Sequence, residues 1–172
     1  MRRRREAYLF ELGNPQRVLV LGDGDGRFLQ VFCALYPEAR VDAVDSSARM
    51  IELARRRAGD RAAFHCLDAR ELPGGDYDLA VAHFFFDCFE TGELSKMLER
   101  VHTRAWLVSE FRKTRWSWPV LRGLYFFFRL TTGLRVTSLP DYHATFARLG
   151  FRLEKEQTSL AGLLASELWI HD

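Results

Sequence analysis

Five residues between an apolar run and a helical pattern hold the most chemical information in the chain: Gly22-Asp23-Gly24-Asp25-Gly26. Glycines at 22, 24 and 26 permit a tight turn from strand to helix and let backbone N–H groups approach a ligand closely. The dinucleotide fingerprint also asks for a small residue at position 27, and Arg27 stands there. Charge argues the same way. Asp23 and Asp25 put two carboxylates where a pyrophosphate would sit, and like charges at contact cost on the order of several kcal/mol. A cationic ligand fits this loop better, although both aspartates also suit a plain cap of the following helix.

Two further acids stand in related places. Asp45 ends a second apolar run, 19 residues after Gly26, where a carboxylate can accept from both hydroxyls of a ribose or cap the next helix. Asp68 follows a third run in Cys66-Leu67-Asp68-Ala69 and can accept from an adenine amino group or serve as an ordinary loop residue. Beyond a fourth run come His83, Phe84, Phe85, Phe86 and Asp87. His83 and Asp87 are the candidates for proton transfer, and one of the phenylalanines for a cation–π contact worth about 0.5 to 2 kcal/mol. His143, beside Asp141 and Tyr142, opens a late helix and is a lesser candidate.

The elements that must position these residues follow from hydrophobic spacing. Val18–Leu21 is a strand, and Phe28, Leu29, Phe32 and Leu35 recur at helical spacing behind the glycine loop. The pattern repeats: strand Val41–Val44, helix Ser46–Arg57 capped by Ser46 or Ser47, strand Ala63–Leu67, strand Tyr77–His83, helix Glu93–Val101, strand Trp106–Ser109. A helix Leu139–Leu149 and strands Phe151–Glu156 and Leu164–Ile170 close the chain. Alternation of this kind predicts an α/β fold, a parallel sheet with helices on both faces and ligands beyond the carboxyl ends of its strands.

Length and composition exclude several classes. The 172 residues suffice for a single domain, with a short N-terminal helix over 1–16 and an aromatic-rich insertion or cap over 116–137. A net charge of +2, with its basic cluster confined to Arg2–Arg5, gives no case for a nucleic-acid partner. Cys33, Cys66 and Cys88 lack the spacing of a disulfide framework or a zinc site, so no metal is expected and a reducing cytoplasm is the natural setting. The segment 116–134 holds unusual aromatic surface, suited to a pocket wall or a homodimer interface and, ranked last, a membrane contact.

Taken in order, VLVLGDGDG, VDAVD with Met50 behind it, CLDA at 66–69 and YDLAVAHFFFDCF at 77–89 resemble the successive motifs of class I S-adenosylmethionine-dependent methyltransferases. The resemblance runs from about Arg17 to Ile170. It implies a Rossmann-like, doubly wound, seven-stranded and mostly parallel sheet with an antiparallel last strand. It also implies S-adenosylmethionine as cofactor, S-adenosylhomocysteine as product, and in-line transfer to a small apolar or aromatic acceptor. By position, Gly22, Asp23, Gly24, Asp25 and Gly26 would face the methionine part and Asp45 the ribose. Met50 would face the adenine ring, with Ser46 beside it; Asp68 and Ala69 would lie at the adenine amino group, and His83 and Phe84 near the sulfonium.

Two departures stand out. The family usually carries an acid where this chain has Val20, so the ammonium must be met by backbone carbonyls, Asp23 or water. Only about 16 residues precede the first strand, so either the cover over the cofactor is reduced or the native chain is longer. The alternatives are a non-catalytic cofactor-binding or scaffolding domain of the same fold and, disfavoured by Arg27, an NAD-dependent oxidoreductase.

Overall fold

In the computed structural model, residues 7–112, 140–160 and 162–171 are described. Arg2–Arg5 and the aromatic-rich segment 116–137 lie outside them. Seven strands form one sheet: β1 Arg17–Leu21, β2 Arg40–Asp45, β3 Ala63–Cys66, β4 Gly75–His83, β5 Val101–Phe111, β6 Phe151–Ser159 and β7 Leu164–His171. Their order is β3-β2-β1-β4-β5-β7-β6. β7 is antiparallel to both of its neighbours, and the ladders joining β1 to β5 are parallel. The doubly wound fold expected from the alternating pattern is present.

β1 shows why it lies at the centre. Val18, Leu19, Val20 and Leu21 are all buried, a run that only a strand covered on both faces can bury. Alternate residues point to two separate cores. Leu19, Leu21, Ala80, Ala82, Trp106 and Val108 pack on one side, against helices α3 Thr91–Leu98 and α4 Tyr142–Arg148. Val18, Val20, Leu79, Val81 and Leu107 pack on the other, against helices α1 Arg27–Leu35 and α2 Ala48–Ala58.

The helices start where their caps dictate. Of the two serines before α2, Ser47 is the cap: its Oγ accepts from Met50 N–H at 3.4 Å. Asp141 caps α4 by accepting from Ala144 N–H at 3.1 Å. α3 begins at Thr91, two residues before the expected start, where Glu90 N–H donates to Glu93 at 3.1 Å.

Other boundaries also differ from expectation. Val101 opens β5 and does not end α3, because Gly75 to Val101 is already a rung of the β4–β5 ladder. The polar stretch His102-Thr103-Arg104 hid this, since its backbone pairing leaves no mark in the hydrophobic pattern. At its other end β5 continues past Ser109 to Phe111, held by β7 through Glu110 to Ala165 and Phe111 to Leu164. Near the N-terminus, the helical part of residues 7–16 is a single 3-10 turn, Leu9–Glu11. Leu9 is fully buried there, and Tyr36 donates its hydroxyl proton to the Leu9 carbonyl.

Among the described residues β3 and β6 are the two edges of the sheet, and β6 carries the charges. Arg152, Glu154, Lys155, Glu156 and Gln157 all face solvent, and ion pairs tie Arg152 to Glu154, Lys155 to Glu11 and Arg112 to Glu156. No helix among the described residues is long and apolar enough to cross a membrane.

Candidate active site

Strand register collects the candidate residues at one end of the sheet. Leu21 pairs with Val44 and Ala82, Asp45 with Cys66, and His83 with Ser109. Gly22, Asp45, Asp68 and Phe84 therefore all lie at or just beyond the carboxyl ends of adjacent strands. An open groove of about 600 Å³ lies at the opposite end, among Asp76, Val101, His102 and Phe151, away from these residues.

The glycine loop is built as its composition demands. Gly22, Gly24 and Gly26 have φ of 63°, 67° and 80°. Gly26 is also a packing position: a β-carbon there would come within 2.5 Å of Ala54 Cα in α2. Close helix packing is thus provided by Gly26, and the exposed Arg27 next to it leaves that contact untouched. Nothing lies within 4 Å of a β-carbon placed on Gly24, so the loop is open there.

The loop aspartates do not present the bare negative charge expected of them. Asp23 is 5% exposed, and its Oδ2 accepts from Leu29 N–H at 3.0 Å, capping the first turn of α1. Asp25 is paired twice, with Arg27 at 2.8 Å and Arg57 at 2.5 Å, and Arg57 also donates to the Asp25 carbonyl at 2.7 Å. Burial opposes ionisation of Asp25, but the bonds and charges of Arg57 and Arg27 outweigh it and hold the carboxyl below the usual carboxylate range. Arg57 is the last of three successive arginines ending α2, and nothing in their spacing singled it out.

The acids on the next two strands are likewise already engaged on one side. Asp45 accepts from Ser47 N–H at 2.9 Å, while Ser46 beside it is exposed. Asp68 caps the 3-10 turn Ala69–Glu71 through Arg70 N–H at 2.9 Å and pairs with the Arg70 guanidinium at 3.0 Å. Ala69 is buried in the core behind it. Met50 is half-buried on the first turn of α2. A ribose would be met by Asp45 and a methionine chain by the open face at Gly24; Asp68 could accept from an adenine only by sharing with Arg70.

At the end of β4 the two proton-transfer candidates part company. His83 is 1% exposed and stands edge-on to the Phe28 ring of α1, with centroids 4.7 Å apart. Asp87 lies in the 3-10 turn Phe86–Cys88, where burial pushes its carboxyl up to about 6. Its Oδ1 accepts from the Cys88 thiol at 3.6 Å, and burial, then the charge of Asp87, pushes that thiol up to about 12.

Two buried acids escaped the sequence reading. Glu110 is 1% exposed, and its Oε1 accepts from Phe85 N–H and Phe86 N–H, both at 2.7 Å. Burial and the charge of Asp87 raise its carboxyl well above the usual range against the pull of those two bonds. Glu167 in β7 is fully buried and accepts from Trp169 Nε1 at 2.8 Å and Tyr142 Oη at 3.2 Å, with His143 Nε2 at 3.0 Å. An acid set in the middle of an apolar strand, as in Val108-Ser109-Glu110 or Ala165-Ser166-Glu167-Leu168, was the available signal.

A sheet of this order with one antiparallel strand, carrying a left-handed glycine loop after β1 and acids after β2 and β3, defines the Rossmann-like fold of class I transferases. The chain belongs to the methyltransferase domain family of the class I, S-adenosylmethionine-dependent type, whose signature it matches over residues 18–105. Malonyl-(acyl-carrier protein) O-methyltransferase of Priestia megaterium is 37% identical over 76 residues, which are 43% of this chain and 28% of that one. The matched part spans about a quarter of the length of the curated relatives.

Among solved structures, the N-methyltransferase NodS of Bradyrhizobium japonicum WM9 superposes with a TM-score of 0.67 at 13% identity, over 98% of this chain and 95% of that one. The plantazolicin methyltransferase BpumL, solved with a triazolic desmethylPZN analog and SAH, gives 0.68 at 17% identity, over 99% and 82%. These likenesses establish the fold.

Proposed function

We propose that the chain binds S-adenosylmethionine across the β1–α1 loop and passes its methyl group in line to a small apolar or aromatic acceptor, releasing S-adenosylhomocysteine. The observation that carries this reading is the register that aligns Gly22, Asp45 and Asp68 beyond three adjacent strands, with left-handed glycines at 22, 24 and 26. On this reading Gly24 and its neighbours accept the methionine chain and Asp45 the ribose. Met50 with Ser46 flanks the adenine, and Asp68 with Ala69 meets its edge.

The cofactor supplies an electrophilic methyl on a sulfonium that leaves as a neutral thioether. The protein's part is to orient the acceptor and exclude water. Phe84 and Phe85 do the second, beside the Phe111 ring 5.2 Å from Phe84. Where the acceptor arrives protonated, Asp87 takes the proton: a carboxyl titrating at about 6 is ionised at neutral pH yet more basic than an ordinary one. His83, packed under Phe28, is assigned a structural place below the site.

A second reading, a cofactor-binding domain without catalysis, is favoured by one feature. Val20 is buried and Asp23 is spent on capping α1, so the loop offers the ammonium little acidic help. Calorimetry with S-adenosylmethionine, S-adenosylhomocysteine and NADH tests the ligand. Transfer of a labelled methyl to a panel of aromatic and aliphatic acceptors tests catalysis. Binding of the first two ligands alone, with transfer, is the expected result; a preference for NADH overturns the reading, and binding without transfer to any acceptor selects the second.

A further inference from the structure

The turn after β4 is held by a residue for which the reaction chemistry has no use. Phe84 adopts φ 54°, a conformation that a β-carbon disfavours, and such a turn keeps its shape only when its surroundings over-determine it. Three successive anchors do so. Phe84 N–H donates to the Ser109 carbonyl at 2.7 Å, and Phe85 and Phe86 N–H both donate to Glu110 Oε1 at 2.7 Å. The outcome is a Phe85 ring pressed on Gly22, with Asp87 in the turn that follows.

For stability alone, Glu110 is a poor choice. A carboxyl sealed in a core is costly, apolar residues of similar volume often serve as well, and Glu110 Oε2 has no hydrogen-bond partner among the described residues. Its cost is explained if the geometry it imposes on residues 84–86 is needed at the site.

We propose that Glu110 is a positioning residue of the methyl-transfer site: by clasping two successive N–H groups it sets the wall that Phe84, Phe85 and Asp87 present to the glycine loop, and through that wall the affinity for cofactor. The proposal rests on the functional reading above. Glu110→Gln keeps an acceptor oxygen at the same reach, and Glu110→Asp withdraws it by one methylene. In calorimetry with S-adenosylhomocysteine, on protein shown to be folded by circular dichroism, the Gln variant stays within about threefold of wild type. The Asp variant weakens by about tenfold or more, the loss expected when buried N–H groups are deprived of their acceptor. Equal binding by wild type and the Asp variant, or equal loss in both variants, overturns the proposal.

Amide hydrogen exchange on the wild-type protein gives a second measurement that needs no variant. Exchange at Phe85 and Phe86 slows when S-adenosylhomocysteine is added; unchanged exchange at both amides overturns the proposal. Wild-type protein that binds no S-adenosylhomocysteine overturns the functional reading itself, and that result appears before any variant is made.

Discussion

The ring of Phe85 lies against Gly22, in the volume where a side chain at position 22 would begin. The first glycine of the loop is therefore required twice, by its φ of 63° and by an aromatic neighbour from the end of another strand. Gly22→Ala should destabilise the fold by about 1 to 3 kcal/mol, the usual range for overpacking combined with backbone strain. Denaturant unfolding measures this. A companion Gly24→Ala, with open space around it, should cost only the strain, about 1 kcal/mol; equal losses at the two positions would show that Phe85 is not the obstacle.

Arg57 and Asp25 join α2 to the glycine loop. Both side chains are about 30% exposed, so the pair should be modest in energy, and Arg57→Ala should cost about 0.5 to 1 kcal/mol. Because the Asp25 carboxyl is held below its ordinary value, its contribution is present above that value and disappears as pH falls through the lowered one. The difference between wild type and Arg57→Ala should thus shrink at pH below about 4. Thermal melts at pH 7 and pH 3 give the comparison.

Asp87 runs the other way. Its carboxyl is raised from 3.8 to about 6, so the folded state is favoured by the proton below the ordinary value and loses that advantage as pH climbs through about 6. Asp87→Asn should match wild type near pH 4 and melt higher above pH 7, by on the order of 2 kcal/mol. If Asp87 accepts the acceptor's proton, methyl transfer by wild type rises through pH 6 and the Asn variant loses the rise. A variant less stable than wild type at pH 8 would contradict the burial assigned to this carboxyl.

Glu167 satisfies Tyr142, His143 and Trp169 at once. Removing it in Glu167→Ala leaves buried donors without an acceptor and should cost about 3 kcal/mol or more. Glu167→Gln, which keeps one acceptor oxygen, should lose roughly half as much. Equal stability of the Ala variant and wild type would mean that these donors find water instead.

Much of this architecture was legible because parallel strands buried on both faces write themselves as apolar runs; Val18–Leu21 and Leu79–Ala82 are such runs, and Val41–Val44 is one broken only by Asp42. Gly26 was legible because glycine is the residue that adopts a positive φ most readily, and a tight strand-to-helix turn calls for one. The true extent of β5 was not, since His102 and Thr103 pair through their backbone while the side chains from His102 to Arg104 follow no apolar rhythm. Side-chain direction was the hardest quantity to read. Asp23 and Asp25 looked like twin charges on a ligand, yet one turns inward to Leu29 N–H and the other meets Arg57, 32 residues away in sequence. Glu110 escaped for the same reason: the N–H groups it serves belong to a different strand end, and no local pattern announces them.

The charged border at β6 bears on how the molecule meets others. The outer side of an edge strand is ordinarily a template for a foreign one, but here an incoming backbone would have to strip water from Arg152, Glu154, Lys155 and Glu156 and disturb their ion pairs with one another and with Glu11 and Arg112. Lateral growth of the sheet at β6 is thereby discouraged, and two copies that associate would have to do so through some other surface, the β3 edge included.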